Sequence, residues 1–118
     1  MIDPLTRVRE SALALPGTEE RVSHGQPTFF VAGKQFAQFR DNHHGDARTV
    51  VCVRIGSLDE QAMLIEADPG IYSKPAYLPS WISLSLAGDA VDWDHVADRI
   101  AMSWELAAPR RLLEAGGR

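Results

Sequence analysis

The sequence predicts a two-layer α+β domain, in which an antiparallel sheet carries helices on one face and leaves much of the other open. Three observations predict it. Apolar runs between turn residues indicate hairpins near residues 20–40, and residues 81–86 alternate between apolar and polar. Residues 4–15 and the segment after Asp92 carry apolar side chains at helical spacing. We expect the order α-β-β-β-β-α-β-α in one domain over residues 1–118.

The first helix is predicted over residues 4–15. Asp3 is a good N-cap, and Pro4 suits the first helical position. Pro16-Gly17 ends the helix. Its apolar positions form one stripe, namely Leu5, Val8, Ala12 and Leu15.

Four strands are expected next, at about 20–24, 28–32, 35–40 and 49–55. A tight turn at Gly33-Lys34 joins the second to the third. His24, next to Gly25, is placed in the first of these strands. A polar loop, 41–47, precedes the fourth.

A second helix begins after Ser57, because Glu60 three residues later completes a capping box. Its inner edge is expected to contain Leu58, Ala62 and Ile65. Residues 67–79 follow without regular pattern, and loops of this length are often functional.

The strand 81–86 is predicted to bury Ile82, Leu84 and Leu86 and to turn Trp81, Ser83 and Ser85 toward the open face. Asp92 then caps a long helix, and a short helical tail follows Pro109. The inward stripe of the long helix is Trp93, Ala97, Ile100, Trp104 and Ala107.

The net charge of the chain is −4, and the charge is unevenly spread. Residues 1–56 carry about +1 and residues 57–118 about −5, so composition shows no basic face for nucleic acid. No apolar run approaches a membrane span, and the N-terminus lacks the pattern of a signal peptide. The single Cys52 excludes an intrachain disulfide. We therefore expect a cytoplasmic protein that does not bind membranes.

Several motifs resemble the MmcQ/YjbR-like family. They are Leu15-Pro16-Gly17, His24-Gly25, Pro27, Phe29 and Gly33-Lys34-Gln35-Phe36. The stretch "PAYLPSWISLSL" resembles the family's loop and Trp-led strand, and "SWELAA" resembles its Ser-Tyr, with Trp104 in place of Tyr. The resemblance implies a fold like frataxin (CyaY-like). It also implies DNA binding, because the family is likened to double-wing DNA-binding domains.

A DNA-binding function would place its contacts on two projecting segments. The first wing is the Gly33-Lys34 turn, whose ammonium can contact a phosphate. The second is the loop that carries Lys74. Arg21 and Trp81 would lie nearby on the sheet, where Trp81 can stack on a base. In the ordinary interpretation Lys34 is a soluble turn residue.

The alternative is a small-molecule or protein partner on the open face, without DNA. Its candidate surface contains His24, Tyr77 and Trp81. Trp81 is exposed in that case, or else it is covered by the 67–79 loop with Tyr72 and Tyr77 packed over it. A positive stripe joining Lys34, Lys74 and Arg21 would favour DNA, whereas a neutral aromatic pocket would favour a ligand.

The sequence predicts no catalytic residue, no metal site and no cofactor. Cys52 lies in a Val-rich strand and should be an inert thiol. No phosphate-cradling glycine loop is present. His43-His44 lacks a third ligand at a recognisable spacing. Frataxin-like metal binding is the weaker alternative, because the first helix carries Glu10 among arginines rather than an acidic ridge.

Overall fold

The computed structural model describes residues 3–42 and 45–116 of the chain. These residues form helices and strands in the order α1 (Pro4–Leu13), β1 (Thr18–Ser23), β2 (Gln26–Val31), β3 (Lys34–Asp41), β4 (Thr49–Arg54), α2 (Leu58–Ala67), β5 (Tyr72–Ser73), β6 (Trp81–Ser85), α3 (Trp93–Ala107) and α4 (Arg110–Gly116). The predicted α+β class is confirmed. The order differs by the short β5, and α4 lies where the short helical tail after Pro109 is predicted. The likeness to frataxin stays a prediction.

The strands form one sheet in the order β1-β2-β3-β4-β6-β5, and every neighbouring pair is antiparallel. β5 lies in the segment that the sequence predicts to be irregular. It contributes only Tyr72 and Ser73, which pair with Leu84 and Ser83. Two residues are too short to show a strand pattern, so only the pairing with β6 reveals β5.

Two hairpin turns connect the first three strands, and each has two residues at positive φ. His24 (φ 53°) and Gly25 (φ 76°) join β1 to β2, and Ala32 (φ 49°) and Gly33 (φ 81°) join β2 to β3. Both turns have the positive φ pair of a type I′ turn, which matches the twist of antiparallel strands. His24 therefore lies in a turn, not in a strand as expected. The second turn lies one residue earlier than predicted, and Lys34 begins β3.

The helices pack on one face of the sheet over the main apolar core. Val8 and Ala12 of α1 and Ile100 and Trp104 of α3 are buried there. The Trp104 indole N–H also donates to the Pro16 carbonyl oxygen at 3.0 Å. This bond ties α3 to the turn that ends α1.

The inner edge of α2 differs from the prediction. Leu58 is 59% exposed, whereas Gln61 is buried. The Gln61 amide donates to the carbonyl oxygens of Pro79 at 3.1 Å and Trp81 at 2.8 Å. These bonds place a polar residue on the inner side of α2, whereas Leu58 and Ala62 are exposed. Ile65, the third predicted residue of the inner edge, is half-buried against the core as expected.

A β-bulge interrupts the pairing of β2 with β3. Phe29 pairs with Ala37, but Phe30 pairs with Gln35, so Phe36 is an extra residue in β3. Phe36 and Ala37 are consecutive, yet both are fully buried in the core beneath the helices. The bulge therefore breaks the strict alternation of faces along β3.

Ser103 of α3 holds this bulge in place. Its hydroxyl donates to the Phe36 carbonyl oxygen at 2.5 Å and accepts from the Arg54 backbone N–H at 2.8 Å. Ser103 is fully buried. One side chain of α3 thus joins β3 to β4 across the core.

Replacement of Ser103 by alanine should lower the free energy of unfolding by about 1–3 kcal/mol, because it leaves the buried Phe36 carbonyl and the partly buried Arg54 N–H without this partner. Urea denaturation of Ser103→Ala and wild type measures the difference. Ser80→Ala, at an exposed position, is the matched control and should change stability little. Equal midpoints for wild type and Ser103→Ala would contradict the role of this hydroxyl.

Candidate ligand site on the open sheet face

The face of the sheet away from the helices carries polar side chains that are nevertheless buried. Thr28, Gln38, Arg40 and Ser83 lie on this face, and each is less than a tenth exposed. A bare sheet face would leave these groups in water. The face is therefore partly covered, which the sequence pattern does not reveal.

Residues 74–80, here called the covering segment, fold over part of this face. Leu78 packs against a small second apolar cluster made of Val50, Cys52 and Trp81. Trp81 is only 6% exposed, so the covered alternative holds for it. Tyr72, which was expected to pack over Trp81, instead lies in the main core on the other face of the sheet.

A cavity of about 820 Å³ lies beside the covering segment, in front of β2 and β3. Its floor contains Gln26, Gln35, Gln38 and Arg40. Gln35 and Gln38 both line it although they are three residues apart, because the bulge at Phe36 lies between them. The bulge that places Phe36 in the core therefore also places the amides of Gln35 and Gln38 on the opposite face of the sheet.

Two rims enclose the floor. The β1–β2 turn contributes His24, and the covering segment contributes Tyr77 and Leu78. His24 and Tyr77, both singled out from the sequence, are therefore brought to one cavity. Tyr77 is 80% exposed and has a φ of 65°, a left-handed conformation that is costly for a residue with a side chain.

A chain of hydrogen bonds connects the floor to its surroundings. The Gln38 amide donates to the Thr28 hydroxyl at 3.1 Å and to the Ser23 carbonyl oxygen at 3.3 Å. Arg40 Nε donates to Gln38 Oε1 at 2.8 Å, and Arg40 Nη1 donates to the Ala76 carbonyl oxygen at 3.0 Å. These bonds fix the Gln38 amide and the Arg40 guanidinium, and they anchor the covering segment to β3.

Residues of the predicted DNA surface do not share this cavity. Arg21 is exposed, lies 4.3 Å from the Phe30 ring centroid and pairs with Glu19 at 2.8 Å. Lys34 is exposed at the hairpin tip, and its cross-strand partner Val31 faces the helices. Lys34 therefore leaves the turn on the helix side, since cross-strand partners share a face.

Lys74 is exposed at the end of β5, on the opposite side of the sheet from the β1 edge. Gly33 occupies the hairpin turn with positive φ, where glycine is favoured. The described basic residues thus lie on separate strands and loops rather than in one stripe.

The residues that sequence reasoning missed are the floor of the cavity, namely Gln26, Gln35, Gln38 and Arg40. Amides and arginines on strands ordinarily mark a solvent-facing surface, so their types gave no signal. One signal was available in "KQFAQFR", where Phe36 and Ala37 are adjacent apolar residues inside an alternating strand. Such an interruption is typical of a bulge.

The predicted inert thiol is in agreement with the structure. Cys52 is fully buried, its sulfur lies 3.4 Å from the Ser83 hydroxyl oxygen, and burial raises the pKa of the thiol.

Across residues 3–42 and 45–116, no group of three or more His, Cys, Asp or Glu is placed to hold a metal ion. His43 and His44 lie outside the described residues. None of the described helices is both long and apolar enough to cross a membrane.

Cys52 should react with a thiol-specific disulfide reagent at least about a hundredfold more slowly in the native protein than in denaturant. A raised pKa in the folded state also means that thiolate formation favours unfolding, so stability should fall as pH rises above the unfolded thiol's pKa. Absorbance of the released reagent measures the rate, and denatured protein is the control. Rapid native labelling would contradict the burial of Cys52.

Comparison with known proteins gives the same grouping as the sequence motifs. The model of the YjbR family matches residues 13–106, well over half of the chain. No curated protein matches. A crystal structure of a Deinococcus radiodurans protein with a DUF419 domain superposes with a TM-score of 0.73 at 15% identity, covering 94% of this chain and 86% of that one. That likeness shows the fold alone.

The resemblance to MmcQ/YjbR-like proteins that the motifs indicate is confirmed by the match of the family model. The chain belongs to the YjbR family.

Proposed function

We propose that this protein is a non-enzymatic module that binds a small polar molecule on the open face of its sheet. The observation that carries the proposal is the cavity of about 820 Å³. Cavities of roughly 300–1,000 Å³ with a few fixed polar groups are typical of small-molecule sites. A cytoplasmic setting is part of the proposal, and the single Cys52, which allows no intrachain disulfide, supports it.

The floor of the cavity supports recognition by hydrogen bonds. Glutamine amides both donate and accept, so Gln26 and Gln35 can match a ligand edge that carries both kinds of group, whereas Gln38 donates within the protein and has only its oxygen to offer. Gln38 is already oriented by Thr28 and Arg40. A fixed polar group loses little conformational entropy when it binds, and this raises affinity.

The rim supports contact with a flat or apolar part of the ligand. Tyr77 offers an exposed ring beside Leu78. The left-handed backbone of Tyr77 is a second argument, because strained conformations cluster at ligand clamps. Polar floor and aromatic rim together favour a ligand with a polar edge and a planar body.

A screen of small polar compounds by NMR tests the proposal. Bound compounds should shift the side-chain amide signals of Gln35 and Gln38. Gln35→Trp should fill the cavity and weaken binding about tenfold or more, and its side chain is outside the hydrogen-bond chain of the floor. Met63→Trp, on an exposed face of α2, is the matched control. Compounds that bind equally to both variants would place the site elsewhere.

DNA binding is the second candidate, and one observation favours it. Lys34 at the hairpin tip and Lys74 on the covering segment are the two lysines of the chain, and both are exposed. Exposed cations on projecting turns can contact phosphates without reading sequence. The net charge of −4 opposes such contact, so any affinity rests on these local cations.

Fluorescence anisotropy of labelled duplex and single-stranded DNA, at about 50 and 200 mM salt, tests this candidate. If it holds, binding should be saturable, fall steeply with salt and weaken in Lys34→Ala. Arg110→Ala removes the same charge from the remote α4 and should leave binding unchanged. Absence of binding at low salt would remove DNA as a ligand and leave the cavity and protein partners.

A further inference from the structure

We infer that the ligand of the open-face cavity carries an anionic oxygen group, a carboxylate or a phosphate, which binds the Arg40 guanidinium. The inference rests on the proposed function, since it assigns a chemical class to the molecule in that cavity. Arg40 is the feature that carries it, because this arginine is only 6% exposed and yet lines the cavity.

The hydrogen bonds of Arg40 go to neutral acceptors. Nε donates to Gln38 Oε1 and Nη1 to the Ala76 carbonyl oxygen. These two bonds use two of the five N–H donors of a guanidinium and leave its positive charge uncompensated. They also hold its plane, so that it does not need to be ordered when a ligand arrives.

Carboxylates of β3 and of the edge strand β1 have partners other than Arg40. Asp41, the next residue, accepts from the Thr49 hydroxyl at 2.9 Å. Glu19 pairs with Arg21, and Glu20 pairs with Arg9 of α1 at 2.6 Å on the helix side. Across the described part of the chain, none of the ion pairs found includes Arg40, and the cavity lining contains no acidic residue.

A buried guanidinium without a carboxylate is unfavourable, because charges removed from water require pairing. Among the described arginines that are less than a tenth exposed, Arg99 lies 3.8 Å from the carboxylate of Glu60, whereas Arg40 is in none of the ion pairs found. The half-buried Arg54 also lacks an ion pair among those found, but its guanidinium lies 5.2 Å from the Trp81 ring centroid. Arg40 borders the cavity. An anionic group entering this cavity would supply the missing charge, and the planar fork suits a carboxylate or a phosphate.

The test compares charged and neutral probes that share an aromatic ring. Benzoate is paired with benzamide, and phenyl phosphate with phenol, so that each pair differs in charge while the ring is retained for the Tyr77 rim. Isothermal titration gives affinities, and the Arg40 Nε–H signal in NMR reports contact at the guanidinium. The charged member of at least one pair should bind about tenfold or more tightly.

Arg40→Gln should remove the preference for the anionic probe over the neutral one. Arg21→Gln changes an exposed arginine on the same face and should retain that preference. Arg40→Lys keeps the charge without the fork and should weaken the anion by an intermediate factor. If neither Arg40 variant folds, the wild-type preference and the Nε–H shift decide the question alone.

Each outcome separates this inference from the function on which it rests. Binding of benzamide or phenol as tight as that of the anions, with contact in the cavity, would overturn the inference and keep the small-molecule function. No binding of any probe, together with a negative NMR screen, would overturn both. Preference for benzoate alone identifies a carboxylate ligand, and preference for phenyl phosphate identifies a phosphate.

Discussion

The bulge at Phe36, held by the Ser103 hydroxyl, is the constraint on which both layers of the structure depend. An extra residue in β3 places Phe36 and Ala37 together in the core and returns Gln38 to the open face. Without the bulge, regular alternation along β3 would move either the Phe36 ring to the open face or the Gln35 or Gln38 amide to the core face. Ser103 satisfies the carbonyl of the bulged residue from within α3, so core packing and cavity floor are set by one contact.

The open face of the sheet buries polar side chains, and these side chains therefore need hydrogen-bond partners within the protein. The covering segment shields Trp81 and Cys52 through Leu78, and the same segment brings the Ala76 carbonyl to Arg40. Burial of polar groups is unfavourable unless they are hydrogen-bonded, and the chain from Thr28 to Ala76 meets that condition. What it leaves unmet is the charge of Arg40. The fold therefore contains a buried guanidinium at Arg40 that is in none of the ion pairs found among the described residues and that borders the cavity.

Local signals in the sequence predicted much of the fold. Asp3, Ser57 and Asp92 cap their helices as expected, because N-capping depends on neighbouring residues alone. The inward rotation of Gln61 and the burial of Arg40 could not be predicted, since both depend on carbonyls far away in the chain. For the site, His24 and Tyr77 were identified from their types, whereas the cavity floor follows from tertiary contacts. Long-range contacts thus decide the chemistry here.

The two edges of the sheet affect how the protein can meet other chains. β1 carries three consecutive charged residues, Glu19, Glu20 and Arg21, and charged edges resist pairing with a foreign strand. At the opposite edge β5 has only two residues, and Pro75 follows soon after and cannot donate a ladder hydrogen bond. Both edges are thus poor templates for strand addition, which protects the native protein from edge-to-edge aggregation. Partners that bind by adding a strand to the sheet are therefore disfavoured, which is in keeping with the ligand site proposed on the open face.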